Sequence, residues 1–339
     1  MFKKHRNKKL MLILLLLIML IACSKKQSER AGYVSAYKSI DASAYGLEMS
    51  QITITIPDIV NERTYLYMAD NQANFDKYRQ DLGWFGSSES RIFQDEDGIS
   101  SANNFDNWIH YANDSQVDAL LLGGDIIDFY SDDNADALQN KLSMLEVPYI
   151  YTYGNHDSYV PWDNKFCDDE DKFVNFFRGG NQEITILDEG EYYIVSIRNY
   201  AIDGTAQVSD EALIEFENIY KEDKPIILMC HVPIYTEQTN ELKVIIEATF
   251  GSVFMKYDAG EFGTVDAALL MGENCGYELT DSSKRFLELV LADDSPVVAV
   301  LSGHIHREWS GCLNGKIYEY VGWGAYINRG ALIHIISDK

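Results

Sequence analysis

Short apolar runs recur along the chain, at Tyr65 to Ala69, Val117 to Leu122, Tyr149 to Tyr153, Ile226 to Cys230 and Val297 to Leu301. Each is too short to be a helix with a buried face and suits a strand covered on both sides. Gln51 to Ile56 alternates Thr and Ile, a strand signal stopped by Pro57. Amphipathic stretches lie between the runs. Phe105, Trp108, Ile109 and Ala112 share one helical face, as do Leu138, Leu142 and Leu145. Leu213, Phe216, Ile219 and Tyr220 form a third stripe behind a capping Ser209, and Phe286, Leu287, Val290 and Leu291 form a fourth after Asp281 and Ser282. Segments 184–197 and 316–336 read as strand-rich, while 84–98 and 158–171 read as surface insertions. This rhythm predicts an α/β sandwich, two sheets packed together with helices outside. No repeat of roughly 20 to 50 residues is apparent.

Composition adds a class and an address. With 46% hydrophobic residues and six prolines in 339, most of the chain is expected to be globular. The net charge is −25, yet the first 22 residues carry Lys3, Lys4, Arg6, Lys8, Lys9 and no acid, so the remainder holds about −30. Such a surface repels phosphate backbones and argues against general nucleic-acid binding. Leu10 to Ala22 is unbroken and apolar but shorter than the roughly 20 residues of a membrane span; with the basic residues before it, it reads as a signal peptide. Leu20-Ile21-Ala22-Cys23 resembles the lipobox of bacterial lipoproteins. It implies a lipid on Cys23, and so an extracytoplasmic face of the cell membrane as the site of action. The expected division is a signal peptide at 1–22, a lipidated cysteine and tether with a short strand at 23–60, and the main domain at 61–337. Cys167, Cys230, Cys275 and Cys312 remain, with no zinc-knuckle spacing and no assigned bridge; Cys230, inside an apolar run, reads as a small buried hydrophobe.

The chemistry follows the apolar runs. Asp70-Asn71-Gln72, Gly124-Asp125-Ile126-Ile127-Asp128, Gly154-Asn155-His156-Asp157, His231 and Gly303-His304-Ile305-His306 each come at or just after one. In open α/β folds ligands gather at the carboxyl ends of strands, and carboxylates, amide oxygens and imidazoles are donors for Mn, Fe and Zn. The ordered set resembles the calcineurin-like metallophosphoesterase superfamily, whose pattern is D-x-H, GD-x-x-D, GNH-[D/E], a separate His and GH-x-H. The resemblance covers roughly residues 61 to 337 and implies a four-layer α/β/β/α sandwich with two mixed sheets flanked by helices.

It further implies two divalent metal ions. Asp125 would bridge them, Asp70, Gln72 and His306 would complete the first site, and Asn155, His231 and His304 the second. His156 would contact the substrate phosphate and assist the leaving group, Asp157 would orient and raise the pKa of His156, and Asp128 would support from behind. Gly154 and Gly303 suit turns of unusual dihedral or close approach. The expected reaction is hydrolysis of a phosphomonoester, phosphodiester or pyrophosphate bond in a small phosphorylated substrate by a hydroxide activated between the metals. The alternative is a non-catalytic lipoprotein that uses the same pocket to bind phosphorylated ligands.

Gln72 departs from the family's usual His. Its hard, neutral amide oxygen favours Mn, Mg or Fe over Zn, and a D-x-Q variant also occurs in the manganese-dependent ADP-ribose/CDP-alcohol diphosphatase branch. G-x-x-x-x-G-K-[ST], H-E-x-x-H and G-x-S-x-G are all absent from the sequence. Asp132, Asn134 and Asp136 have calcium-like spacing but lack the glycine and terminal glutamate, and read as a helix start. His110 and His334 read as structural. Trp84, Phe85, Tyr159 and Trp162 are aromatics in the insertions, and Arg178 and Arg329 are cations without motif support.

Overall fold

Alternation within the strands divides the molecule into layers. A computed structural model describes residues 35–78, 93–160, 165–166, 176, 182–201, 203–258 and 264–338. The leader, Cys23, Trp84, Phe85, Trp162, Cys167 and Arg178 lie outside the described residues. One sheet contains β1 (Glu48–Thr55), β2 (Arg63–Met68), β3 (Ala119–Leu122), β4 (Tyr149–Tyr151) and β15 (Arg329–Ile336), in the order β1-β15-β2-β3-β4. The β15–β2 pair is antiparallel and the other neighbours are parallel. The second contains β7 (Ile184–Asp188), β8 (Tyr193–Ile197), β9 (Ile226–Cys230), β12 (Val297–Ser302), β13 (Trp309–Cys312) and β14 (Tyr318–Val321), in the order β13-β14-β12-β9-β8-β7. Its three central pairings are parallel and its two outer ones antiparallel.

Tyr65, Tyr67, Ala119 and Leu121 face the second sheet and meet Ile194, Ile227, Met229 and Leu301 in one buried cluster. Their neighbours Leu66, Met68, Leu120 and Leu122 face outward onto Phe105, Trp108, Ile109, Ala112 and Leu138. Those residues belong to α1 (Ser101–Ser115) and α2 (Asp132–Leu142). On the far side Val195, Ile197, Leu228 and Val300 pack on Phe216, Phe286 and Val290, from α4 (Asp210–Tyr220) and α6 (Asp281–Leu291). The result is the four-layer α/β/β/α sandwich, with each strand's period of two feeding two separate cores. A single turn, α3 (Asn155–Ser158), the helix α5 (Asn240–Phe250) and the ribbons β5 (Tyr159–Val160) with β6 (Lys165–Phe166) and β10 (Phe254–Asp258) with β11 (Thr264–Ala268) complete the described α-helices and strands. Among the described residues no helix is long and apolar enough to cross a membrane.

Several boundaries differ from the sequence expectation. Ser209 caps α4 as expected, accepting the amide of Ala212, and α6 is capped by Thr280, which accepts the amide of Ser283. Leu145 lies beyond α2 yet packs on the same core. Within 23–60, read as lipidated cysteine, tether and short strand, the described part begins at Ser35. Tyr37, Ile40, Ala42 and Tyr45 pack on the core of the first sheet, and β1 is a paired strand rather than an appendage. This segment enters at the base of the sheet, where Ser35 Oγ donates to Asp118 Oδ2 (2.8 Å) and Lys38 N donates to Ser115 O (2.6 Å). It then climbs beside α1 to Glu48, whose amide donates to Asn328 O (2.9 Å).

Candidate metal centre

The expected donors all sit where parallel strands end. Asp70 and Gln72 follow β2, Asp125 follows β3, Asn155 follows β4, His231 follows β9, and His304 and His306 follow β12. Backbone bonds lace these loops together: Asp70 N to Gly124 O (2.9 Å), Gln72 N to Asp125 O (2.8 Å) and Gly303 N to His231 O (3.0 Å). Both oxygens of Asp70 lie within reach of the His304 amide, at 2.9 and 2.8 Å. Gly303 is required by close approach, because a Cβ there would stand 2.5 Å from Asp70 Oδ2. Gly154 is required for the same reason, with Asp125 Oδ1 only 2.2 Å from a Cβ. The backbone is strained where the donors are. Among the described residues ten non-glycine positions have positive φ, and five are Asp70, Gln72, Asp125, His304 and His306, at φ of 53°, 49°, 53°, 72° and 54°. A left-handed residue costs about 1–2 kcal/mol, so the surrounding packing holds these five side chains in poses the backbone does not favour.

The imidazoles are oriented by carbonyls. His231 Nδ1 donates to Gly123 O (2.9 Å) and His304 Nε2 donates to Ala268 O (3.0 Å). Each neutral ring is thereby left with one bare nitrogen, and these two nitrogens face each other at 3.2 Å. Asp125 Oδ2 lies 3.1 Å from His231 Nε2. One ligand atom from each of Asp125, His231 and His304 falls within a 4.8 Å cluster. Two lone pairs beside a carboxylate repel unless positive charge sits among them. The neighbouring charges act in the same direction: although burial opposes charging, Asp125 and Asp70 push His231 up to about 9. Burial and the neighbouring His231 push His304 down to about 3. Asp125 is held below the usual carboxylate range, its burial being outweighed by His231 and His156.

The remaining donors adjoin this group. His306 Nε2 is 3.5 Å from Asp70 Oδ1. Asn155 Oδ1 and both amide atoms of Gln72 are buried without a hydrogen-bond partner among the described residues. Buried amides are ordinarily satisfied, so the donor set fits divalent cations: carboxylates, bare imidazole nitrogens and amide oxygens with nothing else to bind.

His156 lies at the edge. Its backbone N–H donates to Asp125 Oδ1 (2.8 Å), its Nδ1 donates to Asp128 O (2.6 Å), and its Nε2 is 3.9 Å from Asp125 Oδ2. Burial lowers its pKa, but Asp125 and Asp128 outweigh that and raise it. Asp128 Oδ1, 3.4 Å from Nδ1, sits on the protonated side of the ring.

Asp157 does not do what the sequence suggests. Its carboxylate accepts the amides of Asp125 (2.9 Å), Ile126 (2.9 Å), Ile127 (3.2 Å) and Gly154 (2.9 Å), and the hydroxyl of Tyr151 (2.9 Å). It splices the Asp125 loop to the Asn155 turn and leaves the orientation of His156 to Asp128. Successive residues of a helical turn do not face each other, which keeps Asp157 from the ring beside it.

Three supports carry no motif. Asn199 Oδ1 accepts the amides of His231 (3.1 Å) and Val232 (3.0 Å), clamping the His231 loop. Phe93, from the end of the first insertion, stands edge-on to His156 and His306 at 6.1 Å each. Glu319, inside β14, accepts the Ile234 amide (2.9 Å) and the Ser302 hydroxyl (2.8 Å), tying together the loops that carry His231 and His304.

Burial pushes Glu319 up to about 8 from 4.5. The folded protein therefore holds this proton more tightly than the unfolded chain, so the stabilisation is complete below pH 4.5 and is lost as pH rises through 8. Glu319→Gln should flatten that slope, unfolding at a higher temperature than the wild type at pH 9 by the equivalent of about 5 kcal/mol, with little difference at pH 5. Thermal unfolding across this range measures it, and parallel curves for the two proteins would refute it.

Other expectations are structural. His334 bonds to Thr64 Oγ1 (3.0 Å) and Gln51 Oε1 (2.8 Å), and His110 is exposed on α1. Arg329 pairs with Glu48 (3.0 Å) and stacks on Trp323. Tyr159 is buried. Asn134 begins α2 and also accepts the amides of Phe75 (2.7 Å) and Asp76 (2.9 Å). Cys230 and Cys275 are buried free thiols and Cys312 is a half-buried one.

Comparison with known proteins supplies a family and a fold. The family described as calcineurin-like phosphoesterase matches residues 66–308. A probable cyclic nucleotide phosphodiesterase of Xenorhabdus bovienii is 26% identical over 210 residues, 58% of this chain and 64% of that relative. Among solved structures, a dimetal phosphatase from Danio rerio superposes with a TM-score of 0.50 at 11% identity, over 78% of this chain and 88% of that one. A purple acid phosphatase from yellow lupin (Lupinus luteus) seeds gives 0.43 at 15% identity, over 84% of this chain and 47% of that one.

Proposed function

The chain belongs to the calcineurin-like phosphoesterase family, and from that membership we propose that it hydrolyses a phosphomonoester, phosphodiester or pyrophosphate bond at two divalent cations. The observation that carries this reading is the convergence of two bare imidazole nitrogens on the Asp125 carboxylate. Asn155, His231 and His304 would hold one cation, Asp70, Gln72 and His306 the other, and Asp125 would serve both. The amide oxygens of Gln72 and Asn155 favour manganese. A phosphodiester is consistent with the name of the Xenorhabdus relative, of whose length this chain spans 64%.

When bound, the cations supply Lewis acidity and acidify a water for attack on phosphorus. The chain's own part lies around them. Asp70 and Asp125 bring negative charge into a buried cleft, and the carbonyls of Gly123 and Ala268 fix which imidazole nitrogens face it. His156, in the doubly protonated form that Asp125 and Asp128 favour, keeps its Nδ1 proton in the bond to the Asp128 carbonyl and gives its Nε2 proton to the leaving oxygen. Asp157 keeps the two loops in register. Cys23 carries the lipid that holds this chemistry at the extracytoplasmic face of the membrane.

Chelation provides the first test. Thorough removal of metal should lower turnover of mono- or bis-nitrophenyl phosphate by about a hundredfold or more, and Mn²⁺ should restore it better than Zn²⁺. Turnover that survives metal removal, checked by metal analysis, would sink the proposal.

A further inference from the structure

A cavity of about 180 Å³ opens beside the metal centre, lined by Gln72, Asn74, Phe93, Gln94, Ser100, Ser101 and Asp128. It shares two walls with His156: Asp128 holds the Nδ1 side of that ring and Phe93 stands against its edge. A group bound there therefore lies next to the proton donor. We propose that this cavity is the subsite for the leaving group and that it takes a neutral, hydroxyl-rich one, a polyol or a sugar. The inference rests on the phosphoesterase reading above and narrows its substrate.

The lining argues for this chemistry. It offers three amides, two hydroxyls and one carboxylate, with one apolar wall in Phe93 and no Lys, Arg or His among the described lining residues. The lining carries a carboxylate and, among its described residues, no cation to receive a second phosphate or a carboxylate. The volume suits about six waters or one small polyol. Phe93 is only 6% exposed, its ring already set against His156, His306 and Tyr326, so it presents no open face on which a base would stack.

Gln72 is the second, independent sign. Its side chain is buried and neither amide atom has a partner among the described residues. With Oε1 turned to a cation, Nε2 still lacks an acceptor, which a hydroxyl oxygen in the cavity supplies. The wall is built rather than incidental: Asp95 accepts the amides of Ile99 (2.8 Å) and Asp97 (3.0 Å) and the side-chain amides of Asn104 (2.8 Å) and Asn328 (3.0 Å), fixing the loop between Gln94 and Ser100. Ser101 Oγ donates to the Gln72 carbonyl (3.2 Å), joining the wall to the donor loop.

The test compares glyceryl with propyl phosphate, as monoesters and as methyl diesters, in the manganese-loaded full chain. Glyceryl esters should be preferred in kcat/KM by about tenfold or more, and Gln94→Leu with Ser100→Ala should bring that ratio to within about threefold. A wild-type ratio near one, or a stronger preference for adenosyl than for glyceryl esters, overturns the subsite while leaving nitrophenyl phosphate turnover intact. Loss of nitrophenyl turnover as well would instead overturn the phosphoesterase reading. A second readout needs no metal. In saturation-transfer NMR of the chelated protein, erythritol should receive more transfer than butane-1,4-diol, and the double variant should abolish the difference. Equal transfer to both in the wild type overturns the proposal.

Discussion

Asp125→Ala should lower kcat/KM for every phosphoester by at least about a thousandfold, because one side chain serves both proposed cation sites and no neighbour can replace it. The structure says why. Asp125 Oδ2 is 3.1 Å from His231 Nε2 and Oδ1 accepts the His156 amide at 2.8 Å. Its backbone is pinned by Asp157 and by the bond from Gln72 N. Asp125→Asn separates charge from shape. It keeps an oxygen for the His156 amide, yet leaves the bare nitrogens of His231 and His304 facing an uncharged group. Bound metal per chain, measured after dialysis, should fall in both variants. A variant that retains near-wild-type turnover would refute the shared role, and a variant that loses activity with full metal content would move that role from binding to chemistry.

His156→Gln should show the opposite pattern, losing chemistry but not metal. On the proposed mechanism the residue contributes through the proton it supplies to a departing oxygen, and general acid catalysis of this kind is worth about 10²–10⁴-fold. Alkoxides need that proton and nitrophenolate does not. Turnover of an alkyl ester should therefore drop by about a hundredfold or more while nitrophenyl phosphate changes by less than about tenfold. An equal loss on both substrates would show that His156 acts by binding phosphate instead. Asp157→Asn should resemble neither variant, since Asp157 reaches the reaction only through the loops it joins.

The strands were legible because sandwiched sheets demand it. Leu120 to Leu122 and Ile226 to Cys230 are buried on both faces, so their sequences are continuous apolar runs. The donors were legible because each follows such a run. What escaped had weaker local signals. Helix α5 carries Val244 exposed beside buried Leu242 and Ile246, and its β-branched run blurs the helical period. Glu319 and Asn199 belong to no motif; their only sign was a polar residue in or just after a buried strand, at Tyr318-Glu319-Tyr320-Val321 and Ile197-Arg198-Asn199. Asp157 was misread because adjacency in sequence suggested contact in space. The left-handed poses of Asp70, Gln72, Asp125, His304 and His306 were invisible, since no glycine announces them.

The bond between Ser35 and Asp118 also sets the pole at which the N-terminal segment joins the sheet. Asp118 precedes β3 and exchanges backbone and side-chain bonds with Thr64 at the start of β2, whereas the expected metal donors cluster where those two strands end. On the proposal that Cys23 carries a lipid, the anchor would join the domain at the end opposite the cleft, and the chain leading to it would leave the mouth of the cleft uncovered.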